Sequence, residues 1–273
     1  MTFEFIKAHA YGNDFLFIDE GTVDGEYRSV ARAACDRHLG VGGDGLILYR
    51  RTASGAVMKL FNADGSHAEV SGNGVRCLAA IIAEAPVKTL LEGPIDDITI
   101  ETDGGIKRLA LLETDHPQYT FRAFMGNPHG LREESIEIAG EKIAAVVLSV
   151  GNPQCIVLTP SLDAARFQWL GPRLATHSLF PHGTNVEFVE VVQPDRLRIL
   201  IWERGVGQTA SSGTGACAAA VAAAIHGGAH RSVDVVSRGG SQHVDWTDNG
   251  LYLTGLAEIT VRGRWTYVPD ARD

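Results

Sequence analysis

Two short loops of the same type could do chemistry in this chain. Each has the form Ser-Gly-x-Gly and runs directly into an apolar stretch typical of a buried helix, at Ser71–Gly74 and at Ser212–Gly215. Glycine lets a ligand approach the backbone closely, and the first N–H groups of a helix lack intrahelical partners and carry the positive end of its dipole. Each loop is therefore a candidate anion site with a serine beside it. The alternative is an ordinary glycine turn with a serine N-cap.

The loops belong to a long-period repeat. They are 141 positions apart (212 − 71), and the strand-ending pairs Phe61-Asn62 and Trp202-Glu203 repeat at that spacing. The pair Gly12-Asn13 recurs as Gly151-Asn152 at almost the same offset. We expect two copies of one fold whose helix starts face each other across a pseudo-twofold axis and grip one carboxylate. A serine on each side of an alpha carbon would suit stereoinversion, in which one group removes the proton and another returns it from the opposite face.

The elements that position these loops are mainly short strands, with three helices. Strands are predicted at 3–6, 15–18, 46–49, 57–61, 98–101, 144–150, 156–159, 186–192, 197–202, 233–237 and 251–254. Helices are predicted at 30–37, 74–85 and 216–225. The fold class is α+β, with two pseudo-symmetric lobes, each a curved, mostly antiparallel sheet or barrel wrapped around a central buried helix. The lobes are residues 1–117, joined by a C-terminal strand (262–273), and residues 118–261. The linker is expected near 114–118, and a final strand at 259–268 returns to the first copy.

Composition narrows the function classes. The 273 residues carry a formal charge of −9 without a basic patch, which argues against nucleic-acid binding. No apolar run approaches the roughly 20 residues that span a bilayer, and the N-terminal segment does not resemble a secretory signal. The four cysteines are widely spaced, so no disulfide framework is expected, and without CxxC or HExxH no metal is expected. These features favour a reduced, cytoplasmic protein with a small-molecule ligand.

Longer motifs resemble one known family, the diaminopimelate epimerases, over nearly the whole chain. The first motifs are His9–Phe15, Cys35–His38, Gly40–Gly45 and Phe61–Ser66, and the first loop is followed by Arg76-Cys77. Later come Gly151–Pro153, Thr184–Phe188, Trp202–Gly205 and Gly213–Cys217, in the family's order.

The resemblance implies a cytoplasmic enzyme of lysine biosynthesis, a homodimer, that inverts one end of diaminopimelate without pyridoxal phosphate or another cofactor. Backbone N–H groups of the two loops would hold the reacting carboxylate: Gly72, Asn73, Gly74, Gly213 and Thr214. The rest of the amino acid, with its distal ammonium and carboxylate, would contact Asn13, Asn62, Asn152, Asn185, Glu203 and Arg204. An arginine fork suits a carboxylate, and a glutamate suits an ammonium.

The chain departs from the family pattern where the chemistry would occur. Ser71 and Ser212 stand at the two catalytic cysteine positions, Gln154 replaces the usual histidine, and Gln208 replaces the usual glutamate. A thiol has a pKa of about 8.5 and an alcohol lies nearer about 15.7, so up to roughly 9–10 kcal/mol of basicity is lost. Cys77 and Cys217 fall inside the predicted buried helices and are interpreted as core residues.

Three hypotheses stay open. The first is an isomerase acting at the alpha carbon of diaminopimelate or a related amino acid, with Ser71 and Ser212 as the catalytic pair. The second is other isomerase or lyase chemistry with a non-thiol base. The candidate bases are Glu203, His9, Asp64 and His67, with Gln154 as an auxiliary group. The third is a protein that binds an amino acid without turning it over.

Overall fold

The structure divides the chain into two compact units. This computed structural model describes residues 1–84 and 97–268. The first unit comprises residues 1–123 with the segment from Leu256 onward, and the second comprises residues 124–255. Residues 118–123 and 256–261, expected in the second lobe, thus lie in the first unit. Ala85, the last residue of the second predicted helix, and residues 269–273 of the predicted C-terminal strand segment lie outside the described residues.

In the first unit, one sheet separates two layers of apolar side chains. On β2, Phe15 and Phe17 pack in the cluster around α2, while Leu16 and Ile18 pack in the cluster around α1, as strand alternation requires. Helix α2 is apolar almost all round and is therefore buried. The elements are β1 (Thr2–Ala10), β2 (Asn13–Asp19), α1 (Tyr27–Cys35), β3 (Gly45–Thr52), β4 (Gly55–Asn62), β5 (His67–Ala68), α2 (Gly72–Glu84), β6 (Ile98–Thr102), β7 (Gly105–Asp115) and most of β8 (Gln118–Gly126), with a short 3-10 turn at Glu20–Thr22.

The second unit repeats this layering. Ile156 and Val189 pack in the cluster around α4, while Cys155 and Phe188 pack in the cluster around α3. The central helix is alanine-rich and buried over most of its length. The elements are β9 (His129–Ile138), β10 (Glu141–Ser149), β11 (Pro153–Leu158), α3 (Ala164–Ala175), β12 (Asn185–Gln193), β13 (Arg196–Glu203), β14 (Gly207–Thr209), α4 (Gly213–His226), β15 (Ser232–Ser237), β16 (Gly240–Thr247) and the start of β17 (Gly250–Thr266).

Each helix lies between two parallel strands. Helix α1 connects the parallel pair β2–β3, and α3 connects the parallel pair β11–β12. In the same way, α2 lies between β4 and β6, and α4 lies between β13 and β15. Parallel neighbours need such crossovers, whereas most of the antiparallel pairs are formed by strands that follow each other in the chain. The α+β class is confirmed, with a curved, mostly antiparallel sheet around a central buried helix in each unit.

Several local expectations differ from the structure. Helix α3 was missed because Gly171 and Pro172 interrupt the helical pattern, although the Asp163 side chain caps its start. Helix α1 ends at Cys35 rather than Arg37. The Asp36 carboxylate accepts hydrogen bonds from the His38 and Leu39 N–H groups and holds a turn there. Residues 115–118, expected near the linker, form the turn between β7 and β8 inside the first unit.

The final strand has two sets of partners. The start of β17 pairs antiparallel with β16, whereas Glu258–Thr266 pairs antiparallel with β1. The second pairing ties the C-terminal part of the chain to the N-terminal strand. In the part of the chain that the structure describes, no helix is long and apolar enough to cross a membrane.

Candidate functional site

The two Ser-Gly-x-Gly loops begin their helices in the same way. Ser71 Oγ accepts a hydrogen bond from the Gly74 N–H at 3.2 Å, and Ser212 Oγ accepts one from the Gly215 N–H at 3.2 Å. The serine carbonyls accept the next N–H groups, at 2.9 Å in the first loop and 3.0 Å in the second. Both serines are therefore N-caps, so the alternative of an ordinary glycine turn with a serine N-cap describes their contacts correctly. A cap leaves the hydroxyl proton available to a ligand.

This capping decides which N–H groups each loop can offer. Gly74 was expected to donate to a carboxylate, but its N–H is already bonded to the serine hydroxyl. Helix geometry leaves the N–H groups of Gly72 and Asn73 without intrahelical acceptors, and Gly213 and Thr214 hold the equivalent positions in the second loop. These groups lie at the positive ends of α2 and α4. Each loop can therefore present two donors to an anion.

The first unit adds amide groups around its loop. Asn13 Oδ1 is shielded from solvent and has no hydrogen-bond partner within residues 1–84 and 97–268. The Asn73 side chain accepts a short hydrogen bond from Arg76, whose guanidinium is buried and lies 5.7 Å from the centre of the Tyr11 ring. Asn62 Nδ2 donates to Ser66 Oγ at 2.9 Å within a turn. Asn13 is therefore the amide whose oxygen is unsatisfied, while Asn62 and Asn73 already serve local structure.

Two of the other candidate bases of the first unit are engaged elsewhere, whereas the buried Nδ1 of the third, His9, has no hydrogen-bond partner within residues 1–84 and 97–268. Asp64 accepts a hydrogen bond from the Ser66 N–H at 2.8 Å, and the Ser66 hydrogen bonds lower the pKa of Asp64, which makes it a weaker base. His67 Nε2 lies 2.8 Å from Asp103 Oδ2. His9 follows the Phe3 and Phe5 side of β1, whereas Ala8 and Ala10 pack in the α2 cluster. None of the three has a contact that ties it to Ser71.

Charged residues of the first motifs serve the fold. Arg37 bonds both carboxylate oxygens of Asp14, at 3.2 and 2.7 Å, and one oxygen of Asp44 at 2.8 Å. Lys7 lies 2.9 Å from Asp14. Burial opposes ionisation of Asp14, but these two cations hold its pKa at about 2. The cluster fastens the loop before β3 to β2, so these residues need no ligand to explain them.

In the second unit, a row of polar side chains faces the start of α4. Gln154 pairs with Asn185 across parallel strands, and Glu187 lies two residues further along β12. The next residues on these faces, Ile156 and Val189, pack in the α4 cluster. The sheet surface therefore changes from apolar to polar where it reaches the loop.

The side-chain amide of Gln154 connects several members of this row. In one orientation its nitrogen donates to Asn152 Oδ1 at 2.7 Å. In the reverse orientation, the nitrogen donates to both Glu187 oxygens at 3.1 Å, and the oxygen accepts from Thr214 Oγ1 at 3.1 Å and Asn185 Nδ2 at 3.2 Å. Asn185 Oδ1 already accepts the Arg204 backbone N–H at 2.8 Å, so Asn185 must present its NH₂ group to Gln154. That donor selects the second orientation, in which Asn152 must also turn its NH₂ group toward Gln154, because the two side-chain oxygens would otherwise face each other at 2.7 Å.

Glu203 and Arg204 lie at the end of β13. Glu203 Oε1 accepts a hydrogen bond from Thr209 Oγ1 at 2.6 Å. Burial raises the pKa of Glu203, and the Thr209 bond partly offsets this. The Arg204 side chain is exposed, donates to the His182 carbonyl at 3.1 Å and crosses Gly183. The end of β13 thus carries a partly buried carboxyl group on one residue and an exposed guanidinium on the next.

Thiols cannot replace the serines. All four cysteines are free and buried, and both Cys77 and Cys217 are completely inaccessible inside α2 and α4. Burial raises the pKa of Cys77 to about 12. Gln208 lies against Gln168 of α3 through a short hydrogen bond. Within residues 1–84 and 97–268, no group of three or more His, Cys, Asp or Glu could hold a metal ion.

Comparison with known proteins shows the family of this chain. The family model described as diaminopimelate epimerase matches residues 5–129 and 146–260. The chain belongs to the diaminopimelate epimerase family. A diaminopimelate epimerase of Pelotomaculum thermopropionicum is 37% identical over 281 residues, covering 96% of this chain and 99% of its own. One from Desulforudis audaxviator is 39% identical over 282 residues, with 96% and 99% covered.

Solved structures show the same fold. A PhzF-family phenazine biosynthesis protein of Bacillus anthracis superposes with a TM-score of 0.71 at 14% identity, covering 98% of this chain and 100% of its own. A hydroxyproline epimerase of Agrobacterium vitis, with bound trans-4-hydroxy-L-proline, gives a TM-score of 0.67 at 14% identity, covering 96% and 90%. The chain thus belongs to a family of isomerases, and the solved structures that share its fold include epimerases and racemases.

Sequence reasoning missed Glu187. A signal for it was present, because Glu187 interrupts the apolar run 186–189 and the repeat sets it against the apolar segment 46–49. A lone carboxyl group in a strand predicted to be buried either has a partner or changes its pKa. Only the pairing of β11 with β12 identifies Gln154 as that partner.

Proposed function

We propose that this chain is a cofactor-independent isomerase acting at the alpha carbon of diaminopimelate or a closely related amino acid. The observation that carries the proposal is the pair of equivalent loops, Ser71–Gly74 and Ser212–Gly215, with matching hydrogen bonds at the starts of two buried helices. The family membership and the names of the similar relatives support the substrate class. The activity would belong to lysine biosynthesis.

In this proposal each loop supplies donors to the reacting carboxylate. The backbone N–H groups are those of Gly72, Asn73, Gly213 and Thr214, where the helix dipoles favour negative charge. They would also stabilise charge that develops on the carboxylate when the alpha proton leaves.

The remaining polar groups would hold the rest of the amino acid. Glu203 would pair with an ammonium group, and Arg204 would pair with the distal carboxylate because its guanidinium is exposed. Asn13 is the amide with an unsatisfied acceptor, since its buried oxygen has no hydrogen-bond partner among the described residues. Asn62, Asn152 and Asn185 would complete the polar surroundings.

Proton transfer is where the chain differs from a two-thiol enzyme. Ser71 and Ser212 would act as the acid and base in the simplest form of the proposal. Each Oγ already accepts an N–H bond, which would stabilise an alkoxide, but the starting pKa of about 15.7 leaves a large gap. Serine chemistry therefore suits slow exchange better than fast epimerisation.

A second candidate is one-sided isomerisation or elimination with Glu203 as the base. Burial raises the pKa of this carboxyl group, which makes its carboxylate a stronger base than an exposed glutamate. Glu203 would take the alpha proton and return a proton to the same face, without a second base on the opposite face; elimination would instead require a substrate with a leaving group on the carbon next to the alpha carbon. This candidate predicts loss of the alpha proton without recovery of the inverted isomer.

Proton NMR of meso- and LL-diaminopimelate in D₂O with the purified protein tests the proposal. Loss of the alpha-proton signal together with interconversion of the isomers would support the isomerase. Loss without interconversion would favour Glu203 chemistry, and a Glu203→Gln variant should then abolish it while Ser71→Ala should not. A retained signal with ligand line-broadening would mean binding without turnover and would overturn the proposal for this substrate.

A further inference from the structure

Glu187 is a buried carboxyl group with no role in the proposed reaction. Its side chain is completely inaccessible to solvent. It lies against the second loop, because a Cβ placed on Gly215 would overlap Glu187 Oε1 and would lie 3.2 Å from Ser212 Cβ. Carboxyl groups are almost never fully buried unless they are paired. Its position beside Gly215 therefore needs a physical reason.

The first unit lacks this carboxyl group at the equivalent place. A Cβ on Gly74 would lie 2.7 Å from Ile47 Cδ1, so an aliphatic side chain occupies the position that Glu187 occupies beside Gly215. The strand registers agree, because Phe17 pairs with Ile47 in the first unit and Ile156 pairs with Glu187 in the second. The backbone repeat is kept, whereas the side chain beside the loop changes from apolar to acidic.

A second substitution accompanies the first. Gln154 holds the place on β11 that Phe15 holds on β2, since their strand partners are Asn185 and Gly45. Gln154 is completely buried and donates to both oxygens of Glu187 at 3.1 Å. The second unit thus replaces an apolar pair by a hydrogen-bonded Gln–Glu pair. Such a buried pair costs free energy unless its groups are satisfied, which argues for a use in this unit.

The Gln–Glu pair reaches the groups that would touch substrate. The Gln154 oxygen accepts from Thr214 Oγ1 at 3.1 Å and from Asn185 Nδ2 at 3.2 Å. Asn185 in turn accepts the Arg204 backbone N–H at 2.8 Å. One chain of hydrogen bonds therefore connects Glu187 to the second loop and to the turn that carries the exposed guanidinium.

We propose that Glu187 is a positioning residue of the second half-site, which holds Thr214 and Asn185 in place through Gln154. In this role it acts in its neutral form: its carbonyl oxygen accepts the Gln154 N–H, and its other oxygen, also 3.1 Å from the Gln154 nitrogen, carries the proton. The N-terminal end of α4 then stays available to a substrate carboxylate. The inference rests on the proposed function for the identity of that carboxylate. The presence of Glu187 beside the second loop makes the two loops chemically unequal although their backbones match.

The groups around Glu187 support a neutral carboxyl. Glu203 of β13 is the charged group that acts on it, and Cys155 of β11 is a thiol whose pKa burial raises to about 12. The first turns of α4, residues 213–219, carry no charged side chain. Burial first, and Glu203 second, raise the pKa of Glu187 well above its usual range. Ionisation of Glu187 would add a negative charge beside the second loop to the negative charge of Glu203.

Binding should therefore depend on pH through this residue. If a carboxylate ligand binds only the neutral form, the apparent Kd rises about tenfold for each pH unit above the pKa of Glu187. Glu187→Gln keeps an acceptor for the Gln154 amide but cannot ionise. We expect this variant to bind diaminopimelate with near wild-type affinity at acidic pH and to lack the alkaline weakening.

The matched control places two side chains of the first unit at the equivalent positions of the second unit. Glu187→Ile combined with Gln154→Phe restores the apolar pair that the repeated fold already accommodates around α2. We expect it to fold, but to bind diaminopimelate about tenfold more weakly or worse, because a lost contact of about 1.4 kcal/mol corresponds to a factor of ten. Calorimetric titration with diaminopimelate across the pH range measures both variants. Parallel pH profiles for wild type and Glu187→Gln, or wild-type affinity in the double variant, would overturn the inference.

Thermal unfolding without ligand separates the two proposals. A raised folded pKa means that the stabilising contribution of the Glu187 proton is complete below the unfolded pKa of about 4.3 and is lost as pH rises toward the folded pKa. Wild type should thus lose melting temperature relative to Glu187→Gln over that window. If this occurs but no variant binds diaminopimelate, the proposed substrate fails while the neutral buried carboxyl stands. If the melting temperatures of wild type and Glu187→Gln change with pH in parallel, the inference about Glu187 fails whatever the substrate is.

Discussion

Restoring thiols at the two loops is the most direct test of why this chain carries serines. In both loops the Oγ atom accepts an N–H bond at 3.2 Å at the start of a buried helix. A thiolate in that place would meet the same N–H group and the same helix dipole, which are the features that lower cysteine pKa values in proteins. Ser71→Cys combined with Ser212→Cys should therefore create reactive thiolates rather than inert thiols.

The expected gain follows from the difference in acidity. The alcohol lies about seven pKa units above a thiol, which bounds the gain at roughly 9–10 kcal/mol. A positioned general base usually contributes about 10²- to 10⁴-fold, so we expect the double variant to speed alpha-proton exchange by that factor. Each single variant should accelerate exchange from one face only, because each serine lies in a different repeat.

Deuterium exchange into diaminopimelate provides the assay. The pH dependence of alkylation provides a second readout, since new thiols in the loops should react at lower pH than buried Cys77, whose pKa is about 12. If the double variant alkylates readily but gains no exchange, even with Gln154→His added, the two loops do not flank the reacting carbon. If wild type already exchanges as fast as the double variant, basicity does not limit the reaction and the argument from acidity is wrong.

Two further predictions concern the second unit. Arg204→Ala should weaken diaminopimelate binding by about 2–5 kcal/mol in a calorimetric titration. The control Arg196→Ala, which removes an exposed arginine at the start of β13, should leave the affinity unchanged. Equal affinities in both variants would contradict the assignment of Arg204 to the distal carboxylate. Gly215→Ala should cost about 1–3 kcal/mol of unfolding free energy in urea, because its Cβ would overlap the Glu187 carboxyl group. Gly74→Ala should cost less, since its Cβ would crowd only the terminal methyl of Ile47, at 2.7 Å, and would meet Ser71 Cβ at an ordinary contact distance of 3.5 Å. Equal losses would contradict the packing described beside Gly215.

Local chemistry made the helix starts readable from the sequence. A glycine-rich turn, a preceding serine and an apolar helix are all encoded within about fifteen residues, so the loops at Ser71 and Ser212 and the buried character of α2 and α4 could be predicted. The repeat spacing then predicted two similar α+β lobes, because equal motifs at equal intervals imply equal local structures.

The sequence was less informative where two local signals compete. Helix α3 contains Gly171 and Pro172, so its pattern resembles a turn, yet tertiary packing of Phe167 and Leu170 against β12 and β13 keeps it helical. The residues at 114–118 combine turn-forming residues with a proline, and nothing local distinguishes a hairpin turn from a connection between lobes. Pairing with distant strands decides such cases.

What the sequence determined by itself is the pair of Ser-Gly-x-Gly loops, their repetition and the absence of thiols from them. What only the tertiary structure decided is which side chains lie behind those loops. Gln154 and Glu187 are far apart in sequence and meet because β11 and β12 pair in parallel with Ile156 opposite Glu187. A shift of one residue in that register would turn the carboxyl group to the opposite face of the sheet, and register depends on packing across the whole unit rather than on neighbouring residues.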